Sequence, residues 1–99
     1  MVRQVATEAE FDEVISGEGL TIVDFTATWC GPCQMIAPIL EKLSEEHKDV
    51  TFIKVDVDEL SELSSGRCGV TCMPTFHAYK GGKKVADFSG ADQSKLRAL

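Results

Sequence analysis

The chain has too few cysteines to be a disulfide-stapled scaffold and too few cations to be a nucleic-acid binder. Four cysteines, Cys30, Cys33, Cys68 and Cys72, are sparse for a secreted domain held together by bridges. Ninety-nine residues, 43 % of them hydrophobic, can build one core without such staples, so a single domain over residues 1–99 is expected. Ten Lys and Arg against sixteen Asp and Glu leave a formal charge of −6. That is the wrong sign for a phosphate backbone or an anionic lipid surface. The one basic cluster, Lys80, Lys83 and Lys84, straddles Gly81-Gly82 and reads as a solvated hairpin tip. No apolar run approaches the roughly 20 residues that span a bilayer, and no basic-then-apolar leader opens the sequence. The expectation is therefore no nucleic acid, no membrane and a cytoplasmic location. Thiols are kept reduced there, and cysteines are more often catalytic, redox-sensing or metal-binding than structural.

Repeats, low-complexity tracts and linkers are also missing. No Ser–His–Asp, Cys–His or metal–carboxylate arrangement has support from spacing. His47 reads as an exposed helix-end residue and His77 as a strand residue with no catalytic part.

What is present is a readable order of elements. A short strand is expected near residues 2–5, then a helix that Thr7 opens as the first residue of a Thr-x-x-Glu capping box and that Gly17 and Gly19 end. Residues 20–27 and 51–57 are mostly apolar and β-favouring with little alternation, as in strands covered on both faces. Between them, Met35, Ile36, Ile39, Leu40 and Leu43 mark a helix over about residues 32–47, with Pro38 inside it as a source of a kink. A short helix over 59–65 stopping at Gly66, a loop over 67–74, strands over 75–80 and 83–89 about the Gly81-Gly82 turn, and a final helix over 91–99 complete the order. This βαβαβ, α, ββα sequence predicts an α/β fold, a mixed sheet of about five strands with about four helices on both faces.

The chemistry concentrates at Trp29-Cys30-Gly31-Pro32-Cys33, directly after the first long strand. Cys30 falls at the helix cap, where free N–H groups and the positive dipole end favour a thiolate. Cys33 lies about one turn on, close enough to form a disulfide. Pro32 suits a first turn that needs no donor there, and Gly31 leaves room for a partner chain. Half of a four-thiolate zinc site, a permanent structural disulfide and chance placement are the competing readings. Against zinc, 34 residues separate Cys33 from Cys68, where a common ribbon has about 15–20. A Cys-x-x-Cys next to a βαβ pattern points instead to redox chemistry.

The stretches 23–25, 27–33, 54–58, 72–76 and 88–91 together resemble the thioredoxin family, in particular its cytosolic animal members, along essentially the whole chain in order. The resemblance implies the thioredoxin fold and a protein disulfide reductase, a thiol–disulfide oxidoreductase that carries electrons between proteins. It implies Cys30 as nucleophile, Cys33 as resolving thiol and Asp24 as the buried carboxylate beneath it that takes the proton. Lys54 resembles the lysine near that carboxylate, Pro74 the cis-proline facing the dithiol, and Trp29 the aromatic flanking the reactive sulfur. Asp24 as a merely structural polar residue, Lys54 as a solvated strand residue and Trp29 as loop packing are the plainer readings. Burial of a carboxyl in a strand by itself raises its pKa, which fits a proton acceptor.

Trp29, Met73, Pro74 and Gly90 are the candidate substrate contacts, with Gly31 and Pro32 beside them. No cofactor is expected on the chain, which has no nucleotide-binding signature; NADPH and FAD would act through a partner thioredoxin reductase. Disulfide-bearing clients such as peroxiredoxins are the other implied partners. Cys72, next to Met73-Pro74, and Cys68 are candidate regulatory thiols, with a monomer or a Cys72-linked dimer both open. The family's last helix runs further than this chain's, so residues 91–99 are expected to form a shortened one. A non-catalytic protein that binds regulatory partners only when Cys30 and Cys33 are reduced is the alternative function.

Overall fold

A computed structural model describes residues 2–67 and 74–90. The elements are β1 (Arg3–Gln4), α1 (Glu8–Ile15), β2 (Leu20–Thr26), α2 (Gly31–Glu46), β3 (Thr51–Asp56), a π-type turn over Glu62–Arg67, β4 (Thr75–Lys80) and β5 (Lys83–Ser89). The sheet order is β1-β3-β2-β4-β5. β3 pairs parallel with both β1 and β2, and β4 pairs antiparallel with β2 and β5. The five-stranded mixed sheet agrees with the prediction, and β2 lies at its centre. The expected helix over 91–99 and residues 68–73 of the expected loop, with Cys68, Cys72 and Met73, lie outside the described residues.

Local chemistry sets the element ends. Thr7 caps α1 through its Oγ1, which accepts the Glu10 N–H at 3.1 Å, while the Glu10 carboxylate reaches back to the Ala6 N–H at 2.8 Å. At the other end of α1, the Gly81 and Gly82 N–H groups donate to the Gly17 and Ile15 carbonyls. The β4–β5 turn thereby serves as a tertiary cap, and both its glycines have the positive φ that such a turn requires. Lys80, Lys83 and Lys84 are exposed around it, with Lys84 paired to Asp87 at 2.7 Å. α2 continues past Pro38, which sits on its exposed side.

One expectation needs correction. The helix predicted over 59–65 begins instead near residue 61 and runs to Arg67, wound as a π-type turn, while residues 57–60 form turns. Gly66 lies inside it rather than ending it. Asp56 Oδ1 accepts the Asp58 and Glu59 N–H groups at 2.8 and 3.3 Å, and its carbonyl accepts the Leu60 N–H at 3.0 Å, so Asp56 caps a single turn that leads into the π-type segment.

Alternation along the strands divides the core between the two faces of the sheet. Val23, Phe25, Ile53, Val55 and Tyr79 pack with Phe11 and Ile15 of α1 and with Leu63. Ile22, Phe52, Phe76 and Ala78 pack on the other face with Ile36, Leu40 and Leu43 of α2. Asp24, two residues from Ile22, consequently lies on the α2 face. Lys54, two residues from Phe52, shares that face and stands directly across from Asp24 in the β2–β3 register.

Candidate active site

The site sits where β2 ends and α2 begins. Cys30 is the N-cap of α2, in extended conformation, and its Sγ accepts the Cys33 N–H at 3.2 Å. The Cys30 N–H donates to the Ala27 carbonyl, so the strand end holds the cap in place. Pro32 stands in the first turn, where its missing donor is not needed. Cys30 and Cys33 are joined to one another in a disulfide, with their Cα atoms 5.2 Å apart. Cys33 is fully buried and Cys30 only 6 % exposed, whereas Gly31 and Pro32 are exposed above them.

Beneath the pair lies a cavity of about 200 Å³ lined by Asp24, Cys33, Lys54 and Asp56, among others. Asp24 is 3 % exposed, and among the described residues its Oδ1 has no hydrogen-bond partner. Burial pushes its carboxyl up to about 7, against the pull of the nearby Lys54 charge, which lowers it. An isolated buried carboxyl cannot remain fully ionised at neutral pH because the interior solvates charge poorly. Asp24 therefore titrates close to neutral pH, the condition for moving a proton in either direction. A larger hollow of about 680 Å³ lies at the opposite end of α2, lined by Ser44, Glu45, Lys48 and the start of β3, and holds no cysteine.

Trp29 is 65 % exposed at the rim, and its Nε1–H donates to Asp58 Oδ2 at 2.7 Å. Pro74 is buried, and its carbonyl accepts the Gly90 N–H at 2.8 Å, so two expected client contacts meet. Gly90 has φ +97°, a conformation that a side chain would strain. The structure thus brings Asp24, Cys33 and Lys54 to one cavity, and leaves Trp29, Gly31 and Pro32 open at the surface. Met73, Cys68 and Cys72 fall outside the described residues.

Asp56 lines the cavity beside Cys33 and Asp58 accepts from Trp29, two carboxylates of the stretch 54–58 to which the resemblance assigned no role. Their signal was the Asp-x-Asp at the end of the strand next to β2. It becomes meaningful only once β3 is known to lie beside β2.

A family model for thioredoxin matches residues 2–99. The chain belongs to the thioredoxin family. It is 48 % identical to thioredoxin of Homo sapiens over 100 aligned positions, covering 99 % of this chain and 94 % of that one. Identity to thioredoxin of Oryctolagus cuniculus is 49 %, with the same coverage. A solved thioredoxin structure from Plasmodium falciparum superposes with a TM-score of 0.94 at 49 % identity, covering 99 % of this chain and 95 % of the other. The fold is accordingly the thioredoxin fold. The chain is a thiol–disulfide oxidoreductase that works by dithiol–disulfide exchange at a redox-active cysteine pair. Family members carry their electrons on the two sulfurs and hold no cofactor. They work with a thioredoxin reductase and with disulfide-bearing client proteins.

Proposed function

We propose that Cys30 is the attacking thiol, Cys33 the resolving thiol and Asp24 the proton acceptor of a protein disulfide reductase. The observation that carries this reading is a sulfur pair at a helix N-terminus above a buried carboxyl that shares a cavity with Cys33. In the reduced protein the Cys30 thiolate, favoured by the N–H groups and positive end of α2, attacks one sulfur of a client disulfide. The client S–S bond breaks, a Cys30–client S–S bond forms, and the displaced client sulfur takes up a proton. Cys33 then gives its proton to Asp24, directly or through water, and its thiolate attacks Cys30 Sγ. The mixed disulfide breaks, the second client sulfur leaves and is protonated, and a Cys30–Cys33 disulfide remains. Two electrons have passed from the dithiol to the client.

Lys54 keeps the Asp24 carboxyl from rising further, so that it stays an acceptor near neutral pH. Trp29, Gly31, Pro32 and Gly90 form the rim a client meets. Return of the dithiol falls to an NADPH-dependent flavoprotein, thioredoxin reductase, in a reducing compartment that we take to be the cytoplasm. Peroxiredoxins are among the clients this chemistry fits, because their turnover leaves a disulfide for the Cys30 thiolate to open.

The test is a trapping experiment. Cys33→Ser should accumulate mixed disulfides with client proteins on non-reducing gels, while Cys30→Ser should trap none. Capture of the same clients by Cys30→Ser would reverse the two roles. Failure of the wild-type chain to reduce insulin disulfides with dithiothreitol, with client binding retained, would leave a redox-dependent binder instead.

A further inference from the structure

Among the described residues, three large apolar side chains stand exposed, Trp29, Met35 and Val85, and the first two flank the dithiol. Met35 is 78 % exposed, more than any apolar residue of comparable size there. It occupies the solvent side of α2, opposite the face that buries Cys33, Ile36, Leu40 and Leu43. Gly31 stands four residues before it on the same helix face, and a Cβ added to Gly31 would meet nothing within 4 Å. Helical side chains lean toward the N-terminus and cover the turn before their own Cα. Met35 therefore leans toward a bare shelf at the mouth of the dithiol.

Charge isolates the same surface. Residues 25–40 contain no Asp, Glu, Lys or Arg, in a chain of which 26 % is charged. Pro32 and Pro38 are exposed on either side of Met35, and the first charges on the helix are Glu41 and Lys42. An apolar ridge whose own residues carry no charge thus runs from Trp29 through Pro32 and Met35 to Pro38, bordered at the Trp29 end by the Asp58 carboxylate. It is continuous with the point at which a client sulfur must arrive. The rise of a helix separates Cys30 from Met35 by about 7–8 Å along the axis. An extended client chain covers that distance in roughly two to three residues.

We infer that Met35 is a client-contact residue that determines specificity. It takes an apolar side chain of the client two or three residues from the client's exchanging cysteine. Unbranched and polarisable, a methionine adapts to side chains of different shape, which suits a carrier with many clients. The inference rests on the disulfide reductase reading above.

The experiment uses the full chain, reduced by dithiothreitol, and two synthetic disulfide-linked peptide dimers. The dimers are identical except that the residues two and three positions on either side of the cysteine are all Leu in one and all Ser in the other. A small uncharged disulfide, bis(2-hydroxyethyl) disulfide, serves as the substrate whose arms are too short to cover Met35. Wild type should prefer the Leu peptide through a KM lower by roughly five- to tenfold, the size expected for burying part of one apolar side chain. Met35→Glu should lose that preference and keep its rate with the small disulfide; Met35→Leu should retain both. Equal KM values for the two peptides in wild type would overturn the inference, as would an unchanged preference in Met35→Glu. A parallel loss with the small disulfide would assign Met35 a structural role instead. A wild-type dimer in sedimentation that Met35→Glu abolishes would make a second copy the occupant, and also overturn it. Failure of wild type to reduce any of the three substrates would remove the reductase reading itself, and the inference with it.

Discussion

On the α1 face of the sheet, the buried His77 has the Tyr79 hydroxyl 3.3 Å from its Nδ1 and packs edge-on against Phe25, with ring centroids 4.8 Å apart. On the α2 face, the buried Asp24 has an oxygen with no partner among the described residues. The adjacent residues Asp24 and Phe25 of β2 thus serve opposite ends. One side of the strand satisfies its polar neighbour and packs tightly. The other leaves a carboxyl poorly solvated next to the sulfur that must lose a proton. An unsatisfied buried group lowers stability, and it is kept where it shifts a proton equilibrium toward neutral pH. Folding and chemistry are thereby separated by one step of the strand.

Three measurements can break or sharpen that contrast. The largest expected effect is on the packed face, where Phe25 is fully buried. Phe25→Ala should cost about 3–5 kcal/mol in urea unfolding at pH 7. A loss below about 1 kcal/mol would show that this face does not dominate the core.

Asp24→Asn comes next, with the opposite sign. The Asp24 carboxyl titrates at about 7 when folded and near 3.8 as a free side chain. The folded protein holds a proton that the unfolded chain gives up, so its stability falls as pH rises through that window. Below about pH 4 the carboxyl carries no such penalty, and above pH 7 the penalty is complete. Asp24→Asn should therefore be more stable than wild type by on the order of 4 kcal/mol at pH 8 and about equal to it at pH 3.5. Its release of trapped mixed disulfides should slow at neutral pH. A gain that does not depend on pH would mean that ionisation is not what the α2 face pays for.

The smallest effect belongs to His77. Desolvation first, then the Lys84 charge, hold its imidazole below the usual value of 6.5, with Asp87 pulling the other way. The unfolded chain takes up a proton that the folded one resists, so stability is present above pH 6.5 and declines as pH drops below it. His77→Leu should flatten that acid limb of the stability curve while leaving the Asp24 limb unchanged. Loss of both slopes together would show that the two faces are coupled.

Much of this division was legible in the residues themselves. The uninterrupted apolar character of 20–27 marked a strand covered on both sides, and Asp24 stood out as its one charge. The Thr7 cap, the Cys30 cap and the Gly81-Gly82 turn are local, set by residues within a few positions of one another. The π-type turn was misplaced because periodicity marks apolar spacing and does not rank a single turn capped by Asp56 against a helix that continues from it. The Trp29–Asp58 bond joins residues 29 apart and exists only because β3 lies beside β2. Met35 read as part of a helix face because apolar spacing marks a stripe without saying which edge of it meets solvent.

By itself, then, the sequence determined the order of elements, the dithiol at a strand–helix junction and the family. Each depends on short-range spacing: periods of 2 and 3.6, caps, turns and a motif of four residues. The resemblance implied that Asp24 and Lys54 lie near Cys33; tertiary structure supplied the physical reason, placing Asp24 on the α2 face, Lys54 across from it and Cys33 in their cavity. A period of two says that Asp24 and Phe25 point to opposite sides. Only the order of strands and the helix packed on each side can say which of them lies under the sulfur.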